Sequence, residues 1–243
     1  MSLSHTSPSD REPLHDASAQ VTVLVDRRFN GPPGSANGGY VCGTLAELLG
    51  PGPVAVRLLR PPPLGVPLSF DGERLLDGDA VVAQAAASTD DRPDLPPAVP
   101  LAEAALATRH FAGHQQHPFP SCFGCGTERA DGLRVFPGHV GGTTSVAAPW
   151  RPGSGLPPAV SIPGPVVWTA LDCPGGWAVA GAAVTVLGTM VGQILRPLSA
   201  GEQLVVTAAP AGVHGRRRYA VSAVRTETGE LVAWSHQTWI AVA

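Results

Sequence analysis

The acid most able to do chemistry is Asp172, in the run Asp172-Cys173-Pro174-Gly175-Gly176-Trp177, which heads the apolar stretch 178–184. A related run, Asn37-Gly38-Gly39-Tyr40, heads the apolar stretch 41–49. Only the later copy carries a carboxylate. One carboxylate in a half-buried site serves as a general base or holds a water in line. Backbone N–H groups at a helix start can bind a developing oxyanion, and glycines beside them let a substrate carbonyl come close. Asp172 is therefore the candidate catalytic residue, and Asn37, Gly38, Gly39, Gly175 and Gly176 are the candidate substrate-binding residues. Each has a plainer use as well. Asp172 could make only a structural hydrogen bond, and Asn37 could simply cap its helix.

Other groups carry weaker signals. Cys122 and Cys125 form a single C-x-x-C, with His110, His114 and His117 upstream. Tetrahedral zinc uses Cys and His at such spacings, but a turn with small buried thiols explains the pair with fewer assumptions. No metal and no cofactor is expected. A serine nucleophile is disfavoured, because no G-x-S-x-G elbow occurs and Gly153-Ser154-Gly155 lies in a proline-rich loop. Arg216-Arg217-Arg218 is the densest basic run; it reads as a solvated strand end or as a site for phosphates.

The elements that must position these residues follow from pattern. Residues 1–19 lack periodicity and read as a tail. Strands are expected at 21–25, 54–60, 66–76, 79–88, 133–136, 143–147, 184–195, 202–208, 216–226 and 231–242. Helices are expected after Asn37, ended by Gly50-Pro51-Gly52-Pro53, over 101–110, and from Pro165, with Pro174 interrupting or kinking the last. Alternation along the final strand sends His236 and Gln237 to opposite faces.

The chain repeats itself. Gly38-Gly39-Tyr40 matches Gly175-Gly176-Trp177 at an offset of 137, and Leu59-Arg60-Pro61 matches Leu195-Arg196-Pro197 at 136. Two anchors in the same order and setting indicate a duplication. A strand, a helix and then several antiparallel strands, twice over, is an α+β arrangement of sheet around helix.

Composition narrows the class. The 243 residues suit one large domain or two small ones, and 44% apolar residues fit a globular chain. All 16 basic residues are arginine, which with 29 glycines and 26 prolines suggests a GC-rich bacterial genome. A net charge of −3 and 5% aromatics argue against nucleic acid as a partner. No apolar run is long enough for a membrane span and the N-terminus is polar, so the expected location is the cytoplasm. Four cysteines do not make a disulfide framework.

Gly-Gly-aromatic in the helix and Leu-Arg-Pro after the next strand resemble the hotdog fold of the thioesterase superfamily. Two copies in one chain are similar to the double hotdog of acyl-CoA thioesterase II-type enzymes. The segment Cys122-Phe123-Gly124-Cys125-Gly126, followed by Gly132-Leu133, is similar to an opening seen in small hotdog thioesterases. The resemblance implies two antiparallel sheets, each wrapped around a central helix: an N-terminal hotdog at 20–110, a connection at 111–127 and a C-terminal hotdog at 128–243. It implies hydrolysis of an acyl-CoA or related acyl thioester, with Asp172, Gln237 and a threonine orienting the water. Thr185 and Thr189 flank Leu187, where the threonine should fall, and Thr189 is chosen. Exposed sheet edges would allow a homodimer of double hotdogs. The competing reading is a non-catalytic hotdog that binds an acyl ligand or serves as an assembly module.

Overall fold

The computed structural model describes residues 20–153 and 160–242. The expected tail at 1–19 and residues Ser154 and Gly155 lie outside them. β1 (Val21–Leu24) leads to α1 (Gly38–Leu49), β2 (Val54–Leu58), β3 (Pro67–Phe70), β4 (Arg74–Asp77) and β5 (Ala80–Ala87). α2 (Leu101–Ala107), β6 (Gly138–His139) and β7 (Val146–Trp150) follow. Then come α3 (Gly164–Ala180), β8 (Val184–Ile194), β9 (Leu204–His214), β10 (Arg217–Thr226) and β11 (Leu231–Val242).

Among the described residues the strands form one antiparallel sheet of 11 strands, ordered β1-β3-β4-β5-β2-β8-β11-β10-β9-β7-β6. Two sheets were expected. They are joined because β2 pairs with β8, with Val54 opposite Gly192, Ala55 opposite Val191 and Val56 opposite Met190. Val56 and Met190 are fully buried on the helix side and share a core with Val41 and Leu45 of α1 and Trp168 and Leu171 of α3.

α1 and α3 run antiparallel against each other, and small residues let them approach. A side chain on Gly39 would place its Cβ 2.4 Å from the Asp172 Cβ, and one on Gly43 would come 2.6 Å from the Pro165 Cα. At the far end, Glu47 of α1 accepts the N–H of Gly164, the first residue of α3, at 2.7 Å. This satisfies a helix-terminal donor and puts negative charge at the positive end of α3.

Several local expectations change. The strand foreseen at 66–76 is divided at Asp71-Gly72, where Gly72 has φ 98°. No strand forms over 133–136. Arg134 takes φ 55° there, and the N–H groups of Leu133 and Val135 donate to the carbonyls of Phe123 and Gly124 instead of to a sheet. α3 passes through Pro174 without ending. α2, which sequence order put with the first half, packs through Ala104 and Ala107 against Val140, Ala147 and Val205.

Candidate functional site

The start of α1 and the middle of α3 meet at a cavity of about 370 Å³, lined by residues of both halves and of the segment between them. Asp172 is on its wall and only 2% exposed. Oδ2 accepts the backbone N–H of Gly39 at 2.9 Å. Oδ1 has no partner among the described residues. Burial raises the carboxyl from its ordinary value to about 7; the Gly39 N–H and the nearby Asn37 amide work against that rise, and the Cys122 sulfur adds to it. A buried carboxylate with one oxygen fixed and one open is poised to hold or deprotonate a water.

Asn37 is both cap and wall. Its Oδ1 accepts the Tyr40 N–H at 2.9 Å as the N-cap of α1. Its Nδ2 lies 3.8 Å from Sγ of both Cys122 and Cys173. Gly38 also lines the cavity, and among the described residues no acceptor takes its N–H. The four candidate glycines divide. Gly38 and Gly176 face the cavity. Gly39 packs on Asp172, and Gly175 lies over the Gln237 amide.

Gln237 is not among the lining residues. It is 1% exposed and its amide is spent within the protein. Nε2 donates to the Leu171 carbonyl at 2.8 Å and to the hydroxyls of Ser235 and Ser222 at 2.8 and 3.2 Å. Oε1 accepts from Nε1 of Trp239 at 2.7 Å. Pro174 has no N–H to offer the carbonyl one turn before it, and Gln237 supplies a donor at the adjacent carbonyl. His236 falls on the other face of β11, as alternation requires.

The threonine is displaced by a β-bulge. Across β11, Thr189 pairs with Thr238 and Leu187 pairs with Trp239, leaving Gly188 as the extra residue. Thr189 and Leu187 therefore point to opposite faces. Leu187 and Thr185 line the cavity, and Thr189 does not. The bulge makes Thr185, not Thr189, the cavity threonine; its signal in the sequence was the glycine inside the strand.

Three cysteines come together beside Asp172. Sγ of Cys122 lies 3.8 Å from Sγ of Cys173, and these two and Cys125 lie within 4.8 Å of one another, all buried. The thiols of Cys125 and Cys173 and the N–H groups of Cys125 and Gly124 hold Cys122 well below the usual thiol range against its burial. The hydrogen bond to Cys122 first, then burial and the charge on Cys122, push Cys125 and Cys173 well above it. His117 is engaged on both ring nitrogens: Nδ1 accepts the Phe119 N–H at 2.9 Å, which leaves Nε2 to donate to the Cys125 carbonyl at 3.0 Å. His110 is exposed, and His114 packs its ring against Phe111 and Phe136.

The repeated arginines have diverged. Arg60 lines the cavity, whereas Arg196 pairs with Glu202 and Glu230 at 2.9 and 3.0 Å. Among the described residues no helix is long and apolar enough to cross a membrane.

No protein-family model matches the sequence, and no curated protein matches it significantly. Solved structures do. The tesB protein of Mycobacterium avium subsp. paratuberculosis superposes with a TM-score of 0.58 at 15% identity, over 92% of this chain and 93% of that one. Acyl-CoA thioesterase II TesB2 of Mycobacterium marinum gives 0.54 at 16% identity, covering 96% of each. A conserved hotdog-fold protein of unknown function from Alicyclobacillus acidocaldarius gives 0.57 at 13%, over 96% of this chain and 99% of the other. The fold is the hotdog fold.

Proposed function

We propose that the chain is a thioesterase that hydrolyses an acyl-CoA or related acyl thioester, built as two hotdogs fused into one sheet. The observation that carries the reading is Asp172: a buried carboxylate, held by Gly39 through one oxygen and with no partner for the other among the described residues, on the wall of a largely apolar cavity. That volume and lining suit an acyl group and its carbonyl.

The duplicated architecture has support in the register at the junction. The Leu-Arg-Pro anchors stand 136 residues apart. At that offset Ala55 corresponds to Val191, and these two are paired directly across β2 and β8. A residue meeting its own equivalent is what a two-fold axis requires. The Gly-Gly offset of 137 puts Ser35 opposite Asp172 in the repeat, so one half carries the acid and the other supplies the Gly39 N–H. The halves then divide before α2, which packs with the second.

In the mechanism, Oδ1 of Asp172 takes a proton from water as its oxygen attacks the thioester carbonyl. The N–H of Gly38, at the positive end of α1, is the donor offered to the oxyanion. Collapse expels the thiolate, which recovers the proton from Asp172, giving a carboxylic acid and a thiol. Thr185 adds a hydroxyl on the same wall. Gln237 is a positioning residue: it holds the α3 backbone at Leu171, the residue before the acid. The exposed sheet edges at β1 and β6 leave a homodimer open to the fused unit.

A panel of acyl-CoAs of increasing chain length, read by release of free thiol, tests this. Turnover above background for a range of chain lengths is expected. Saturable binding with no thiol release from any member would instead favour a non-catalytic acyl-binding hotdog, the reading that the fully engaged Gln237 amide leaves standing.

A further inference from the structure

The three thiols beside the cavity are drawn from distant parts of the chain. Cys122 and Cys125 belong to a tight loop between α2 and β6. Gly126 shapes that loop, since a Cβ there would sit 2.5 Å from the carbonyl oxygens of Pro120 and Cys122. Cys173 comes from the middle of α3, 51 residues beyond Cys122. Small buried thiols need no particular mutual spacing. These have one: a tetrahedral ion about 2.3 Å from each sulfur spaces its ligands roughly 3.8 Å apart, and Cys122 and Cys173 stand at 3.8 Å.

The neighbours of the sulfurs point the same way. Nδ2 of Asn37 approaches both Cys122 and Cys173 at 3.8 Å, and Nε1 of Trp177 donates to Cys125 at 3.4 Å. Each sulfur is thus met by an N–H, the arrangement that suits thiolates and that outer-shell groups supply around metal ligands. The fourth cysteine, Cys42, is buried but stands apart from the cluster.

We propose that Cys122, Cys125 and Cys173 form a three-thiolate site for one thiophilic divalent cation such as Zn²⁺, with its fourth position filled from the cavity. Three protein ligands and one open position characterise sites where the metal also meets substrate or water. Two negative charges of the three thiolates are balanced by the ion. The remaining one is met by the Asn37 and Trp177 donors. Binding replaces the thiol protons, which leave to solvent. This site does not depend on the cavity taking a thioester.

The test uses the full chain, reduced and stripped with a chelator, then titrated with Co²⁺. A sulfur-to-cobalt charge-transfer band saturating at one equivalent and displaced by Zn²⁺ is expected. Cys173→Ser should abolish the band and Cys42→Ala should leave it unchanged. Trp177→Phe, which keeps all three sulfurs, should lower Zn²⁺ affinity about 10- to 100-fold. If Cys173→Ser fails to fold, alkylation of the wild-type chain decides: Zn²⁺ should protect three of its four cysteines. Absence of the band in the wild type, or equal alkylation with and without Zn²⁺, overturns the proposal.

Discussion

Gly39 and Asp172 are locked together across two helices: the N–H of one donates to Oδ2 of the other at 2.9 Å, and the missing side chain is what permits it. A methyl at position 39 has nowhere to go, because the Trp168 carbonyl oxygen is 2.7 Å from where it would stand. Gly39→Ala should therefore push α1 from α3, breaking the bond and costing about 1–3 kcal/mol. Thermal melts of the two proteins check this. For Gly38→Ala the nearest atoms belong to the Leu187 and Leu58 side chains, which can shift. It should lower the melting temperature less while narrowing the cavity.

Asp172→Asn keeps an acceptor for the Gly39 N–H and removes a charge that sits buried with one oxygen unpartnered. The fold should survive with unchanged or raised thermal stability, since the cost of burying that charge is gone. Thiol release should fall by about 10²–10⁴-fold. Full activity in a folded Asp172→Asn protein would remove the acid from the mechanism.

The two threonines separate cleanly in a paired experiment. Thr185→Val removes a hydroxyl from the cavity wall and should lower kcat by on the order of 10²-fold if that hydroxyl serves the water or the oxyanion. Thr189→Val changes the opposite face of β8 and should leave kcat alone. Steady-state kinetics of both variants, with near-native melting temperatures, decide which threonine belongs to the site.

Trp239→Phe takes the donor from Oε1 of Gln237, which is buried. Leaving that oxygen unsatisfied should cost about 1–3 kcal/mol, measurable as a lower denaturant midpoint. Gln237→Met fills similar volume but leaves the Trp239 N–H, the Leu171 carbonyl and two serine hydroxyls without their partner, so it should cost more stability than the single break. It should also reduce kcat more than it raises KM, because the α3 backbone beside Asp172 loses its anchor. A variant in which kcat is untouched would make Gln237 a core residue only.

What could be read from the sequence was whatever depended on local pattern. Asn37 as a cap, the helix from Pro165, and the hotdog order of elements all follow from neighbouring residues. The exceptional acid Asp172 was visible because its repeat lacks one. What escaped reading depended on contacts between distant segments. Thr189 was chosen by counting along a strand as if its alternation were unbroken, and Gly188 breaks it. The sheet was divided in two because nothing in β2 or β8 announces that they will pair. Leu133–Phe136 has the residues of a strand, yet its N–H groups are claimed by the cysteine loop. The thiol cluster was out of reach too, since its third member lies on another element.

The β2–β8 pairing also governs how the chain would respond to being cut. Residues 91–95 are largely exposed and lie between β5 and α2, so a protease should find them first. Cleavage there would yield two pieces with no covalent tie, but parting them would bare the edge of β2 on one and of β8 on the other. Such edges recruit other strands. The nicked protein should thus travel as one particle under native conditions, and either fragment made alone should be insoluble or should capture another copy of itself.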